Sequence, residues 1–581
     1  MFKGHPKGLF VAFFANMGER FSYYTMLAIF VLYLQAHFGF SVGQAGDYYG
    51  GFLFGIYFLP ILGGIIADRW GYGKTILWGI LIAFVGKIFL SAPGFLEQGF
   101  IDASQELILI IVALVTISLG TGLFKGNLQA LVGKLYDEPR FAPQRDNAFN
   151  IFYMGINIGA FFAPFAATGA VNWVLKRSHG FNYENSMPHL ANLNSKANPF
   201  LDNAIETVQA NFSGALHYTD KITQIKDGMG FNGGLADFAN TYTSELSTGY
   251  SAAFAVAAVA MLISLFVFIV FKKHYQHADM TVKQAQEKAA KEGKEDTTVT
   301  MSKEEEKKRL GALGLIFITV AFFWMAFHQN GFTLTVFARD YTASEVSAFT
   351  NMFFDLRTFI PLLAAIGGLI FLLRKKEAQK TRLIGGFFFV VGSIIAYYFY
   401  SQFDSSETIE PQLFQSFNPI FIVFLTPLII GFFNFLRKKK KEPSSPKKIG
   451  IGMFITGLGF VVMLISALKL QSMTGLSPYW LIGTYFTLTI AELFLSPIGI
   501  SFVAKVAPPR FSGLAQGGWL GATAIGNLLA GLVGKLWDII EIWQFFALLV
   551  ILTILSGVFI FSIMRILEDA TKSSETAEAA E

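Results

Sequence analysis

Cysteine is absent from all 581 residues of the chain, and charged residues are scarce. Without a thiol, the protein has no disulfide, no thiolate metal ligand and no cysteine nucleophile. Only 15% of the residues are charged, whereas an ordinary soluble domain has about 25%. Hydrophobic residues make up 53% of the chain and aromatic residues 16%. This balance predicts an integral membrane protein.

Signatures of catalysis are also scarce. The sequence has no HExxH zinc motif and no Cys–His pair. We therefore expect no enzyme activity, with no catalytic residues, no metal and no cofactor. The net charge of +5 does not indicate nucleic acid binding, because in a membrane protein the placement of Lys and Arg along the chain matters more than their sum.

Long apolar stretches are what the chain has instead, and a membrane-spanning helix needs about 20 such residues. The first half contains six, near 9–35, 48–69, 75–92, 106–134, 146–175 and 249–271. The second half contains six more, near 310–338, 413–436, 449–468, 479–506, 514–537 and 541–565. Two further stretches, 355–373 and 383–402, lie between the first two of the second half. The pattern predicts an all-α polytopic membrane protein with two six-helix bundles plus a two-helix hairpin.

The segments between these stretches divide the chain into domains. We predict an N-terminal bundle over 1–273, with an external loop over 178–248 that is rich in Asn, Gly and Ser. A charged cytoplasmic linker follows over 274–309. The C-terminal bundle covers 310–568 and contains the inserted hairpin 355–402, and residues 569–581 form a cytoplasmic tail.

Basic residues fall on alternate loops once the N-terminus is placed in the cytoplasm, as the positive-inside rule requires. Residues 437–448 are dense in Lys and Arg, whereas residues 403–412 contain three acids and no base. This predicts a multi-pass protein of the cell (inner) membrane with cytoplasmic N- and C-termini. Glu19 and Arg20 interrupt the first apolar stretch, which favours a retained helix over a signal peptide.

The first predicted helix has a polar face. Asn16, Glu19, Arg20, Tyr23 and Tyr24 are spaced i, i+3, i+4, i+7 and i+8, which places them on one side. Ionisable groups inside a membrane are costly and usually face a cavity, so they indicate function. The alternative is that Glu19 and Arg20 pair only to fix helix packing.

Several motifs together resemble the proton-dependent oligopeptide transporter family of the major facilitator superfamily. NMGERFSYY at 16–24 is similar to its ExxERFxYY signature, and GGIIADRWGYGK at 63–74 is similar to the gating loop of the superfamily. The other similar segments are GTGLFKGN at 120–127, FYMGINIGAFFAP at 152–164, FFWMAFHQNG at 322–331, SFNPIFIVFLTP at 416–427, TIAELFLSPIGISFVAKVAP at 489–508 and SGLAQGGWLGATAIGN at 512–527. The chain departs from the family pattern at two acids, which are replaced by Asn16 and His328.

The resemblance implies a secondary active transporter that imports di- and tripeptides by proton symport through alternating access. It implies that small peptides are the substrates, that the proton is the coupling ion, and that the protein is a monomer in the lipid bilayer. The implied substrate-binding residues are Arg20, Tyr24, Tyr49, Lys125, Asn157, Trp324, His328, Asn418, Glu492 and Trp519. The implied proton-coupling residues are Glu19, Arg20, Lys125 and His328, and the implied gating residues are Asp68 and Arg69.

The charges in this set suit a zwitterion. Arg20 and Lys125 from the first half would hold a peptide carboxylate, and Glu492 from the second half would hold the amino terminus. Several of these residues have a simpler alternative role. Trp324 and Trp519 could serve in packing alone, and Asn157 and Asn418 could serve only to form hydrogen bonds between helices. Lys125 could extend to the membrane interface.

Alternatives of function also stay open. The protein could carry another zwitterionic or anionic small molecule, or could be a facilitator weakly coupled to protons, because Asn16 and His328 replace acids. The helix number alone does not exclude a channel or a receptor.

Overall fold

A computed structural model describes residues 4–96, 100–138, 140–185, 218–279, 284, 301–374, 378–470 and 475–579. Fourteen helices in these ranges are long and apolar enough to cross a membrane. The first six are α1 (Lys7–Phe38), α2 (Val42–Trp70), α3 (Tyr72–Ser91), α4 (Ala103–Lys134), α5 (Arg145–His179) and α6 (Leu235–Val270). The rest are α7 (Lys303–Phe327), α8 (Leu356–Leu373), α9 (Gln379–Tyr400), α10 (Phe417–Lys438), α11 (Ser445–Lys469), α12 (Tyr479–Val506), α13 (Ser512–Gly534) and α14 (Ile542–Ser562).

Helices α1–α6 form one bundle, and α7 with α10–α14 form the other, as the sequence predicts. Between the bundles, the main contact joins α2 to α13. Two glycines make this contact close, because a Cβ atom on Gly531 would clash with the carbonyl oxygen of Gly46. Small residues of this kind let membrane helices approach and pack where lipid offers no hydrophobic driving force.

Helices α8 and α9 form the predicted extra hairpin. They pack against each other at Gly368 and Gly385, while most of their remaining surface is exposed. A two-residue antiparallel ladder, Glu345–Val346 with Glu407–Thr408, joins the chain segments on either side of the hairpin. The prediction of fourteen spans with an inserted hairpin is therefore confirmed.

The structure adds helix where the sequence predicts loop. Helix α6 begins at Leu235 rather than near 249, and a separate helix covers Tyr218–Gly228, so the predicted external loop is partly helical. Its middle, 186–217, lies outside the described residues. The last residues of the predicted linker belong to α7, which begins at Lys303.

Helix α7 does not run straight through its span. A 3-10 turn at His328–Gly331 interrupts it, and a further helix, Thr333–Tyr341, completes the crossing. The interruption exposes backbone carbonyl groups, and tyrosine hydroxyls satisfy two of them. Tyr49 donates to the carbonyl of His328 at 3.1 Å, and Tyr485 donates to that of Asn330 at 2.5 Å. Irregular backbone at membrane depth needs such internal partners.

Candidate functional site

A cavity of about 1140 Å³ lies between the two bundles. Helices α4, α5, α10 and α12 line it, together with the helix Met564–Ala579 that follows α14. Its lining includes Glu492 and, near the ends of helices, the charged residues Glu442, Lys448 and Lys505. The cavity therefore reaches the end of the bundles where the basic loops are.

The opposite ends of the bundles are tied together. Asn172 of α5 donates to Glu410 at 2.7 Å, and Gln412 donates to Thr168 at 2.8 Å. Three more links join the halves there: Arg339 to Gln35, Lys535 to Asp47, and Ser41 to Asp538. Glu410 lies just before α10, and its burial raises the pKa of its carboxyl. The cavity is thus open at one end and closed at the other.

Glu19 and Arg20 form a buried ion pair in α1. The Arg20 Nε lies 2.5 Å and its second donor 2.8 Å from the two carboxylate oxygens of Glu19. Only 1% of Glu19 and 5% of Arg20 are exposed. The guanidinium also lies 5.1 Å from the centre of the Tyr23 ring. Each charge therefore compensates the other in the absence of a ligand.

Lys125 contacts an aromatic ring that the sequence analysis did not include. Its Nζ lies 3.3 Å from the centre of the Tyr57 ring, which is a close cation–π contact. Tyr57 is also 5.9 Å from the His328 ring, and Trp324 stacks on His328 at 5.0 Å. The sequence feature that could have identified Tyr57 is its position two helical turns after Tyr49, on the same face of α2.

His328 is buried, and its Nδ1 has no hydrogen-bond partner among the described residues. The charged group that acts electrostatically on the ring is Lys125. Tyr57 and Trp324 thus connect His328 to the lysine of the other bundle. The positive charge of Lys125 would repel a proton on His328.

Glu492 of α12 is buried and accepts a hydrogen bond from Asn418 of α10 at 3.0 Å. Asn418 also donates to Thr489, one turn earlier in α12, at 3.0 Å. No Lys or Arg of the described chain forms an ion pair with Glu492. A buried carboxylate with a single amide partner, facing a cavity, has acceptor sites left for a cationic ligand.

The remaining predicted binding residues are placed as follows. Tyr24 is half-buried beside Tyr23, and the fields of both Arg20 and Glu492 reach it. Asn157 donates to the carbonyl of Tyr153, one turn earlier in α5. Trp519 is buried and packs closely against Gly499. Tyr49, which is fully buried, uses its hydroxyl on the break in α7 in this conformation.

The predicted gating pair is not joined across the helix ends in this conformation. Asp68 and Arg69 are both exposed, and Asp68 accepts a hydrogen bond from Tyr72 at 3.1 Å. Another acid occupies the start of α3: Asp279 accepts from the backbone N–H of Gly73 at 2.8 Å. The anion is thus placed on the positive end of the helix.

One GxSxG pattern occurs in the chain, at residues 39–43, but its serine is a helix cap. Ser41 accepts from the backbone N–H of Gln44 at the start of α2, and its hydroxyl donates to Asp538 at 2.7 Å. Its position at the closed end of the bundles gives it a structural role.

Comparison with known proteins finds relatives that are similar along most of the chain. The model of the POT family matches residues 73–184 and 390–544. The peptide transporter YePEPT of Yersinia enterocolitica is 29% identical over 92% of this chain and 88% of its own length. The uncharacterized transporter YclF of Bacillus subtilis is 26% identical, covering 98% and 96%. A di-/tripeptide transporter of Lactococcus lactis is 24% identical, covering 97% and 96%.

Solved structures share the fold. A peptide transporter POT in complex with sulfate has a TM-score of 0.63 at 22% identity, covering 98% of this chain and 96% of that one. A POT family transporter in complex with 5-aminolevulinic acid has the same score at 21% identity, covering 98% of each chain.

Two bundles around a cavity with one closed end define a membrane transporter of the major facilitator fold. Within that class, the chain is similar to the POT family, whose model matches its two segments 73–184 and 390–544.

Proposed function

We propose that the protein imports di- and tripeptides together with protons by alternating access. The observation that carries this proposal is that buried charges of opposite sign belong to different bundles. Arg20 and Lys125 belong to one bundle, and Glu492 belongs to the other. A zwitterionic peptide that contacts both sets bridges the bundles, and so stabilises a closed conformation that neither bundle favours alone.

A cation of one bundle and the carboxylate of the other act electrostatically on the same tyrosine side chains. The fields of Arg20 and Glu492 both reach Tyr24 and Tyr57. A peptide lying along these tyrosines would place its carboxylate toward Arg20 and Lys125 and its ammonium toward Glu492. The two termini are constant features of peptides, so a site of this kind accepts different side chains.

Proton coupling follows from the same contacts. A peptide carboxylate that binds Lys125 offsets the positive charge that opposes protonation of His328. A carboxylate that binds Arg20 competes with Glu19, which is then free to take a proton. In both cases the peptide anion and the proton favour each other's binding, which is the requirement for symport.

The names of the relatives support peptides as the substrate class, since two of them are described as a peptide transporter and a di-/tripeptide transporter. Transport of another amino-bearing carboxylate is the second candidate. It is favoured by the solved POT family structure bound to 5-aminolevulinic acid, because that molecule carries the same two charged ends. The placement of basic loops at the open end supports a cytoplasmic opening, with both termini inside the cell.

Reconstituted liposomes test the proposal. We expect the protein to exchange labelled dialanine in counterflow without a gradient, and to accumulate it when the outside is acidic. Arg20→Ala and Lys125→Ala should each nearly abolish uptake while the protein still inserts. Competition with tripeptides, free amino acids and 5-aminolevulinic acid separates the two candidates. A parent protein that exchanges peptide but never accumulates it would refute the symport.

A further inference from the structure

Lys87 is a buried lysine about one turn before the end of α3 that the proposed transport cycle does not yet use. Only 2% of it is exposed. Its Nζ lies 3.3 Å from the carbonyl oxygen of Ser22 and 3.9 Å from the sulfur of Met26. Neither partner is an anion, so among the described residues the ammonium has no carboxylate within ion-pair distance. A charged group at this depth is expensive and indicates function.

The two α1 residues that contact Lys87 define the direction it faces. Ser22 and Met26 are three and seven residues after Glu19, so all three lie on one face of α1. The charged groups whose fields reach Lys87 are Glu19 and Arg20. Lys125 of α4 acts electrostatically on the same two residues, so Lys87 is the cation near Glu19 that the proposed site does not assign to the substrate carboxylate.

The other helices packed against α3 bring no charge to this depth. Helix α4 has no charged residue between Glu106 and Lys125, and α6 has none between Glu245 and its end at Val270. The charged residues of α2 are at positions 47, 68 and 69, near its ends. Opposite Gly86, α4 presents Ile117 and the carbonyl of Ala113. Glu19 is thus the anion that the charge of Lys87 can stabilise.

We propose that Lys87 is a positioning residue for proton exchange at Glu19. While the substrate carboxylate binds Arg20, Lys87 keeps the protonation of Glu19 reversible. Once Arg20 turns to the peptide, Glu19 is left in a buried site where a carboxylate without a cation would keep its proton. The positive charge of Lys87 stabilises the ionised carboxylate, so the proton can leave and the cycle can continue. The carboxylate has acceptor sites for both cations, since its two oxygens offer about four lone-pair positions.

This inference rests on the proposed function, in which Glu19 carries a proton, and the experiment separates the two. Lys87→Met removes the charge at similar length, and Lys87→Arg keeps it. With Lys87→Met we expect the pH midpoint of gradient-driven uptake to shift upward by about one unit or more, a tenfold change in proton affinity. Accumulation should fall about tenfold, while counterflow without a gradient stays within about threefold of the parent. Lys87→Arg should restore the parent midpoint.

A double variant tests whether Lys87 acts through Glu19. In a Glu19→Gln background, Lys87→Met should cause no further shift, because the group that it serves is gone. Lys469→Met is the control for loss of a lysine charge elsewhere, since Lys469 is the exposed last residue of α11 in the other bundle, over the Trp480 ring. An unchanged midpoint in Lys87→Met, or an equal shift in the Glu19→Gln background, would overturn the inference. So would equal loss of counterflow and thermal stability in both Lys87 variants, which would indicate a packing role only.

A separate readout applies if the parent protein carries no peptide, in which case the proposed function fails by itself. Infrared difference spectra of the purified protein can follow the carboxyl band that Glu19→Gln removes. Lys87→Met should raise the pH midpoint of that band, and an unmoved midpoint would overturn the inference independently of transport.

Discussion

Replacing Glu492 with glutamine tests the assignment of the amino-terminal half of the substrate site. The carboxylate accepts from Asn418 at 3.0 Å and has no cationic partner among the described residues. Glutamine has nearly the same shape, and its carbonyl oxygen can still accept from Asn418, so the packing of α10 against α12 should persist. What the substitution removes is the negative charge that would bind the peptide ammonium.

The size of the effect follows from that lost interaction. A hydrogen bond to a charged group contributes about 1.5–3 kcal/mol, so the affinity for dialanine should fall about 10- to 150-fold. N-acetylated dialanine has no ammonium, and its already weak binding should change by less than about threefold. Affinities are measured by competition against labelled peptide in counterflow.

A matched control and a clear contrary result are available. Glu106→Gln removes a carboxylate that is bonded to His37 at 3.0 Å near the start of α4, away from the cavity. It should leave both affinities unchanged. Equal losses for the free and the acetylated peptide in Glu492→Gln would mean that Glu492 acts on the structure of the site rather than on the amino terminus.

Three further changes have distinct expected outcomes. Tyr57→Leu removes the ring 3.3 Å from Lys125 and should weaken binding of peptides with a free carboxylate about 2- to 30-fold, the range of a cation–π contact of about 0.5–2 kcal/mol. Tyr57→Phe should lie near the parent, and an equal loss for amidated peptides would argue against a role through Lys125. His328→Gln should keep counterflow and lose gradient-driven accumulation, and an unchanged pH profile would exclude it from coupling. Replacing the hairpin 355–402 with a short linker should preserve some uptake, because its helices are largely exposed, and complete loss in a correctly inserted protein would contradict this.

The membrane architecture could be predicted from the sequence because insertion is decided segment by segment. Each stretch of about 20 apolar residues has its own transfer free energy, and the basic loops set its direction. The fourteen spans, two of which form the extra hairpin, follow from that local information. The Glu19–Arg20 pair was also accessible, since the two residues are neighbours and face each other without help from another helix. The early start of α6 could not be predicted, because Leu235–Ser247 is too polar to give a hydropathy signal. This part of the helix is stabilised by packing, for example of Phe238 and Tyr242 against Phe181.

The arrangement of the site was decided by tertiary structure. Lys125 lies over Tyr57, Glu492 bonds to Asn418, and Lys87 reaches Ser22, in each case from a helix far away in the sequence. Hydropathy carries no information about which helix faces which, because lipid is as apolar as the helix surfaces, and association depends on close packing and a few hydrogen bonds between helices. The same reason applies to the closed end of the cavity, where side chains from opposite halves of the chain meet.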